Sequence, residues 1–260
     1  MPAARSAQRG SPGDATFGEY DHTVASTIRH SIHVTADAGS TGAPAATAAA
    51  ASHGITQLIA SAGATRAAAS RNICPIASSS SRRICSIGSP AAPAIAVTIN
   101  NGFVMPAWYD ILSLSSSARR IDEAGLSRSR DAVRHLIARE NARGIPSEHI
   151  FIAGFSQGGA VAYTTALSHP EALGGVIALS TYIPSTDLLA SELSVANRTI
   201  PVFAAHGSED DVVSPALGMQ ARDFLRSQGY AVDWQEYPMP HSVCLEEVQA
   251  IGRWLRERLA

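Results

Sequence analysis

The chain contains no lysine, so all 20 of its basic residues are arginines. Cysteine is scarce: the three cysteines show no metal-ligand spacing, which argues against a fold built on disulfides or zinc. There is no run of about 18 apolar residues, and no apolar segment follows Arg5 and Arg9 near the start. We therefore expect a reduced, cytoplasmic protein with neither a membrane-spanning helix nor a secretory signal.

The net charge of the 260-residue chain is only −2 at neutral pH, so we expect no nucleic-acid partner. This length suffices for one sizeable core. The first 90 residues differ from the rest, because they hold seven arginines against four acids and are rich in alanine, serine and glycine. Such a composition is typical of a flexible tail. We assign residues 1–55 to an irregular or disordered extension and residues 56–260 to a catalytic domain.

A glycine-framed serine is the most informative motif of the chain. The run Gly-Phe-Ser-Gln-Gly at 154–158 follows the apolar stretch 150–153, which predicts a strand, a tight turn and a helix. Gly154 and Gly158 lack Cβ atoms, so the strand and the helix can approach closely while Ser156 adopts a strained conformation. An ordinary glycine-rich turn is the alternative interpretation. We identify Ser156 as the candidate nucleophile.

A serine nucleophile needs a base, and the base needs an orienting acid. In α/β-hydrolases the order along the chain is serine, then aspartate or glutamate, then histidine. A buried-type strand at 201–207 ends in an acidic loop, where Asp210 is the better candidate for the acid and Glu209 and Asp211 are alternatives. Solvated loop charges are the competing interpretation for all three.

The base is expected on the loop between the last strand and the last helix. His241 lies there, after a predicted strand at 234–238 and before an amphipathic helix that begins near Leu245. His206 competes for the role. Its position at a strand end beside Gly207 favours a part in shaping the acidic loop instead.

The middle of the chain alternates between helical and strand patterns. We predict helices at 127–143, 157–167 and 216–228, and buried strands at 150–153 and 176–179. Alternation of this kind is typical of an α/β fold with a mostly parallel sheet and helices on both faces.

From about Ala91 onward the chain resembles the phospholipase/carboxylesterase family of α/β-hydrolases, which is related to the acyl-protein thioesterases. The stretches that carry the resemblance are 94–102, 105–110, the serine motif, 178–184, 206–213 and 240–244. The resemblance implies an α/β-hydrolase fold and a catalytic triad of Ser156, Asp210 and His241. It also implies that the backbone N–H of Gln157 forms half of an oxyanion hole.

The resemblance also implies that residues 105–108 border an acyl pocket. Met105, Trp108 and Tyr182 are the candidates for lining it, with ordinary core packing as the alternative for each. The chemistry needs no metal and no cofactor.

One expected element is missing from the sequence. Members of the family begin with a strand that ends in a His-Gly-Leu-Gly-Asp type of loop, whose backbone completes the oxyanion hole. The nearest sequence is His53-Gly54, which follows an alanine run, and although 57–59 suits a core strand, 60–66 has the wrong chemistry for the loop. The stretches 74–76 and 78–83 match neither a core strand nor a core helix.

Two kinds of function remain after these observations. The first is a serine carboxylesterase that hydrolyses a small or lipid-like ester, lysophospholipid or acyl-thioester, as a monomer or homodimer. The second is a catalytically impaired hydrolase-fold protein that lacks half of its oxyanion hole. A peptidase or dienelactone-type hydrolase is disfavoured by the serine nucleophile and the segment 105–108.

The abrupt loss of pattern over residues 60–90 leads us to hypothesise that this segment is translated out of frame. Two compensating insertions or deletions, or an error in the gene sequence, would produce such a segment. We expect resequencing and translation in all three frames to reveal a His-Gly-Leu-Gly-like loop. The hypothesis fails if no frame encodes one.

Overall fold

The computed structural model describes residues 57–63, 73–76, 83–88, 90–115 and 119–259. Our expectations for residues 1–55, including those for His53-Gly54, lie outside this range. The strands in chain order are β1 Gln57–Gly63, β2 Ile73–Ile76, β3 Arg83–Gly88, β4 Ala94–Val97, β5 Phe103–Pro106, β6 Ile111–Leu114, β7 Arg119–Ile121, β8 Ile150–Phe155, β9 Gly175–Leu179, β10 Val202–Gly207 and β11 Val232–Tyr237. The helices are α1 Glu123–Ala142, α2 Gln157–Leu167, α3 Thr186–Glu192, α4 Pro215–Ser227 and α5 Leu245–Leu259.

A seven-stranded sheet forms the centre of the molecule, in the order β11-β10-β9-β8-β1-β3-β2. The four strands from β8 to β11 run parallel, and helices connect them. Every residue of β8, β9 and β10 is buried, which explains their nearly continuous apolar sequences. The prediction of an α/β fold with a mostly parallel sheet is confirmed for this part of the chain.

Three antiparallel strands extend the sheet beyond β8. β1 pairs with β8, β3 pairs with β1, and β2 lies at the edge. Residues 74–76, which we expected to match neither a core strand nor a core helix, lie in the edge strand β2. Pro75 has no N–H to donate to the ladder, and an edge strand tolerates this. The hydrophobic pattern of residues 74–76 gave no signal for the strand.

Two faces of the parallel sheet carry separate cores. Side chains at alternate positions, such as Ile150 and Ile152, join a cluster with residues of α1, α2 and α4. The intervening positions, such as Phe151 and Phe155, pack against Ile251 and Trp254 of α5 on the other face. The period of two along each strand therefore gives both faces an apolar surface, and helices cover both.

Helix boundaries agree with the predictions to within a few residues. Helix α1 starts at Glu123 rather than at 127, because Leu126, buried at 2% exposure, extends its inner face by one turn. Its end is followed by Gly144, whose φ of 88° provides the left-handed turn that a helix C-terminus requires. Among the described residues, we find no helix that is both long enough and apolar enough to cross a membrane.

A buried acid lies in the first turn of α5. Glu247 has 0% of its surface exposed, and neither of its carboxylate oxygens has a hydrogen-bond partner among the described residues. Burial is the largest influence on this carboxyl and raises the pKa of Glu247 to about 8. The folded protein therefore retains a proton on this side chain at pH values where the unfolded chain has lost it.

This difference predicts a stability that falls as pH rises from about 4.5 towards 8, because over this window the folded state binds more protons than the unfolded state. Between pH 6 and pH 8 we expect the wild type to lose about 2 kcal/mol relative to Glu247→Gln. Urea titrations at the two pH values measure this difference. The control is Glu246→Gln, an exposed neighbour, which should show no such change; equal behaviour of the two variants would contradict the prediction.

Candidate active site

The turn between β8 and α2 carries Ser156 in a strained backbone conformation. Its φ is 55° and its ψ is −124°, values that non-glycine residues rarely adopt. A Cβ atom at Gly154 would overlap the backbone carbonyl of Gly158, so the crossing of strand and helix requires glycine at 154. The predicted strand, turn and helix are therefore present, with the serine at the turn.

Hydrogen bonds hold this turn in place. The N–H of Ser156 donates to the carbonyl of Leu179 at the end of β9, over 2.9 Å. The hydroxyl of Thr181 donates to the carbonyl of Ser156 over 2.6 Å. A Cβ atom at Gly159 would overlap Thr181, so the first turn of α2 also packs directly against the segment after β9. The strained residue is thus restrained from the neighbouring strand.

Ser156, His241 and Asp210 form a hydrogen-bonded chain. Nε2 of His241 lies 3.0 Å from Oγ of Ser156, and Nδ1 lies 2.7 Å from Oδ2 of Asp210. The three residues come from the ends of β8, β10 and β11, which meet at one edge of the parallel sheet. Asp210 and His241 are buried, at 4% and 8% exposure, while Glu209 and Asp211 are exposed.

The environment of Asp210 favours its ionised form. Burial alone would raise the pKa of this carboxyl, but hydrogen bonds from His206 and His241 and the backbone N–H of Val213 outweigh it and hold the pKa well below its usual range. Oδ1 accepts the N–H of Val212 over 3.0 Å and that of Val213 over 2.7 Å. The carboxylate is therefore both charged and fixed in position.

An ionised carboxylate can only accept hydrogen bonds, so Nδ1 of His241 carries the proton that it shares with Asp210. Nε2 then has a free lone pair directed at the hydroxyl of Ser156. The ring of His241 packs against Phe155, with ring centroids 4.6 Å apart. This tautomer and this orientation are those that a general base needs to remove a proton from serine.

His206 supports the acidic loop rather than the serine. Its Nε2 lies 2.8 Å from the carbonyl of Val213 and 3.4 Å from Oδ2 of Asp210. The ring has 1% exposure, and Gly218 of α4 leaves room for it, because a Cβ atom there would overlap Nδ1. The contacts of His206 agree with the role in shaping this loop that we expected of it.

Gln157 is the first residue of α2, where backbone N–H groups have no partner within the helix. Its side chain is anchored away from the turn: Oε1 accepts the N–H of Trp108, and Nε2 donates to the carbonyl of Tyr109, both over 3.1 Å. The segment after β5 therefore holds Gln157 through its side chain, while its backbone N–H lies next to Ser156.

A largely apolar cavity of about 310 Å³ opens beside the triad, and Ser156, Gln157 and His241 are among the residues that line it. Met105 and Tyr182 are also among the lining residues. Trp108 is not: its side chain is buried in the main core, and its backbone serves as the anchor for Gln157. The alternative of core packing therefore describes the position of Trp108.

Sequence reasoning missed several residues at this site. Arg119, the first residue of β7, lines the cavity and donates a hydrogen bond through Nη2 to the carbonyl of Val212. Thr181 and Phe155 support the turn and the histidine. Thr181 directly follows a predicted strand at the same edge of the sheet, which is a usable signal, but nothing in the sequence around Arg119 indicates its proximity to Val212.

A parallel sheet lies between two helical layers, and the serine sits at a strand–turn–helix elbow. An acidic loop and a histidine loop follow it along the chain. This arrangement defines an α/β-hydrolase fold. Solved structures agree. Arabidopsis thaliana SOBER1 is 34% identical, with a TM-score of 0.62 over 66% of this chain and 82% of that chain. Zea mays acyl-protein thioesterase 2 is 28% identical, with a TM-score of 0.59 over 67% and 81% of the two chains.

Relatives of known name identify the family within the α/β-hydrolases. Acyl-protein thioesterase 1 of Neurospora crassa is 44% identical over 178 residues, which cover 65% of this chain and 72% of the relative. The protein of the same name from Mycosarcoma maydis is 40% identical over 181 residues, covering 65% and 75%. Residues 72–259 match the phospholipase/carboxylesterase family. We expected the resemblance to begin at about Ala91, but the match begins earlier in the chain, at residue 72. The chain belongs to this family and is an ester-hydrolysing enzyme.

Because the turn at Gly154 is crowded, we expect a single methyl group added at this residue to lower both stability and activity. In Gly154→Ala the new Cβ meets a backbone carbonyl that cannot rotate away, so we expect a loss of at least about 2 kcal/mol of stability. Displacement of Ser156 should lower ester hydrolysis by about 10²-fold. Urea unfolding and an ester assay measure the two effects.

Gly102→Ala serves as the comparison. At Gly102 there is open space for a Cβ atom but φ is +75°, so only a conformational cost of about 1 kcal/mol is expected. If Gly154→Ala is no less stable and no less active than Gly102→Ala, the close crossing of β8 and α2 is not a constraint in this protein.

Proposed function

We propose that this protein is a serine carboxylesterase that acts through Ser156, His241 and Asp210 and an acyl-enzyme intermediate. The observation that supports the proposal best is the hydrogen-bonded chain of these three residues beside an apolar cavity. Its geometry suits removal of the serine proton by the histidine, with the aspartate stabilising the imidazolium that forms.

The reaction proceeds in two halves. Oγ of Ser156 attacks the ester carbonyl while Nε2 of His241 accepts its proton, and His241 then protonates the departing alcohol or thiol. Water enters, gives its proton to His241 and attacks the acyl-enzyme, and that proton returns to Ser156 as the acid product leaves. No step in this sequence requires a metal or a cofactor.

The backbone N–H of Gln157 is the proposed donor to the oxyanion that forms on the substrate carbonyl. Its position at the start of α2 adds the favourable field of the helix N-terminus. One missing oxyanion donor costs on the order of 3–4 kcal/mol, or about 10²–10³ in rate, so an enzyme without a second donor is expected to be slower by that factor.

The pairing register of β1 with β8 shows which edge of the sheet the carboxyl end of β1 reaches, and this matters for a second oxyanion donor. Gln57, the first residue of β1, lies opposite Gly154, while Ser61 lies opposite Ile150 at the other end of β8. The carboxyl end of β1 is therefore at the edge of the sheet away from Ser156.

The substrates proposed are esters with an apolar acyl group, because Met105, Tyr182 and several aliphatic side chains line the cavity. The relatives are named as acyl-protein thioesterases and carboxylesterases, which makes acyl-thioesters a second substrate class to examine. The alternative function, a hydrolase-fold protein with impaired catalysis, rests on the missing His-Gly-Leu-Gly-type loop.

Hydrolysis of p-nitrophenyl butyrate tests the proposal. We expect Ser156→Ala to lose at least about 10³-fold of the wild-type activity, because no other group replaces the attacking oxygen. A fluorophosphonate probe should label the wild type, and peptide mass spectrometry should find the label on Ser156.

The matched control is Ser191→Ala, an exposed serine on α3 that should retain full activity and labelling. Activity that survives in Ser156→Ala would contradict the proposed nucleophile. A folded wild type that neither hydrolyses the ester nor takes the label would favour the alternative of impaired catalysis.

A further inference from the structure

Arg119 places a positive charge in the wall of the cavity that holds Ser156 and His241. Most of the other lining residues are apolar, and among the described lining residues Asp211 is the one carboxylate. Asp211 is exposed, so water screens its charge, whereas the side chain of Arg119 is half-buried. The uneven exposure leaves Arg119 as the dominant charge facing the cavity.

The guanidinium of Arg119 is held in a defined place. Nη2 donates to the carbonyl of Val212, and the group lies 5.0 Å from the centre of the Tyr182 ring. Both partners also line the cavity. A group fixed in this way loses little further conformational freedom when it binds a ligand.

The charge of Arg119 has no protein counter-ion among the described residues. No carboxylate there lies within 4.0 Å of it, although nine other histidine or arginine pairs with acids do, and its Nε is buried without a hydrogen-bond partner. A buried donor of this kind is costly unless something satisfies it. Arginine presents a planar fork of N–H donors that matches a carboxylate or a phosphate.

We propose that Arg119 is a specificity-determining residue that selects esters carrying an anionic group, a carboxylate or a phosphate, over neutral esters of the same size. This inference rests on the proposed function of Ser156. The cavity accommodates the apolar part of the substrate, and Arg119 binds the anionic oxygens at its wall.

Two matched pairs of substrates test the proposal. On the acyl side we compare mono-4-nitrophenyl glutarate with 4-nitrophenyl pentanoate; on the leaving-group side we compare 4-butyryloxyphenyl phosphate with its dimethyl ester. For each pair, kcat/KM is measured for the wild type, Arg119→Gln and Arg120→Gln, after subtraction of spontaneous hydrolysis. The ratio of anionic to neutral ester within one variant cancels differences in folding and in active-enzyme concentration.

We expect Arg119→Gln to lower this ratio about tenfold for at least one pair, since a charge-assisted bidentate contact is lost. The pair that responds shows whether Arg119 binds a carboxylate on the acyl side or a phosphate on the leaving group. Arg120→Gln is the matched control, because Arg120 is next in β7 but is exposed and does not line this cavity. The wild-type preference should also weaken at high salt.

Three outcomes would overturn the proposal. An unchanged kcat/KM for both members of each pair in Arg119→Gln would show that Arg119 does not contact the substrate. An equal loss for anionic and neutral esters would show that it only holds Val212 and the acidic loop. Turnover that persists in Ser156→Ala would instead overturn the proposed function, and the role of Arg119 with it, so the two failures are distinguishable.

Discussion

The passage from β8 into α2 depends on the absence of a side chain at residue 154, where the carbonyl of Gly158 would overlap a Cβ atom. Because the helix starts so close to the strand, Ser156 must turn with a positive φ. That conformation carries its hydroxyl to the edge of the sheet where the parallel strands end. It also brings the first N–H groups of α2 beside the hydroxyl, so one backbone constraint positions both the proposed nucleophile and the proposed oxyanion donor.

Asp210 and His241, the proposed acid and base, lie near Ser156 because their two loops are joined to each other. The N–H of Ser208 donates to the carbonyl of Tyr237 over 2.8 Å, and that of Glu209 to the carbonyl of Met239 over 3.1 Å. Gly207 permits the contact, since a Cβ atom there would overlap the carbonyl of Met239. Backbone hydrogen bonds between the loops thus set the separation of Asp210 and His241, and the charge of Asp210 selects the tautomer.

The cavity combines two kinds of surface that have different consequences for substrates. Its apolar lining favours acyl chains without strong discrimination, because each methylene group contributes only about 1–3 kcal/mol. The proposed role of Arg119 in the same wall would give sharper discrimination, since a charge acts through directed hydrogen bonds. Arg119 also contacts Val212, whose N–H binds Asp210, so the substrate-facing wall and the acidic loop are physically continuous.

The sequence by itself determined the order of the proposed nucleophile, acid and base and the strands that carry them, because strand and helix periods and a glycine-framed turn are local properties of the chain. Only the tertiary structure decided that Asp210, rather than Glu209 or Asp211, faces His241, because burial depends on what packs over the loop. In the same way, contacts between segments distant in the chain placed Trp108 in the core and Arg119 in the cavity wall, and backbone pairing alone made an edge strand of β2.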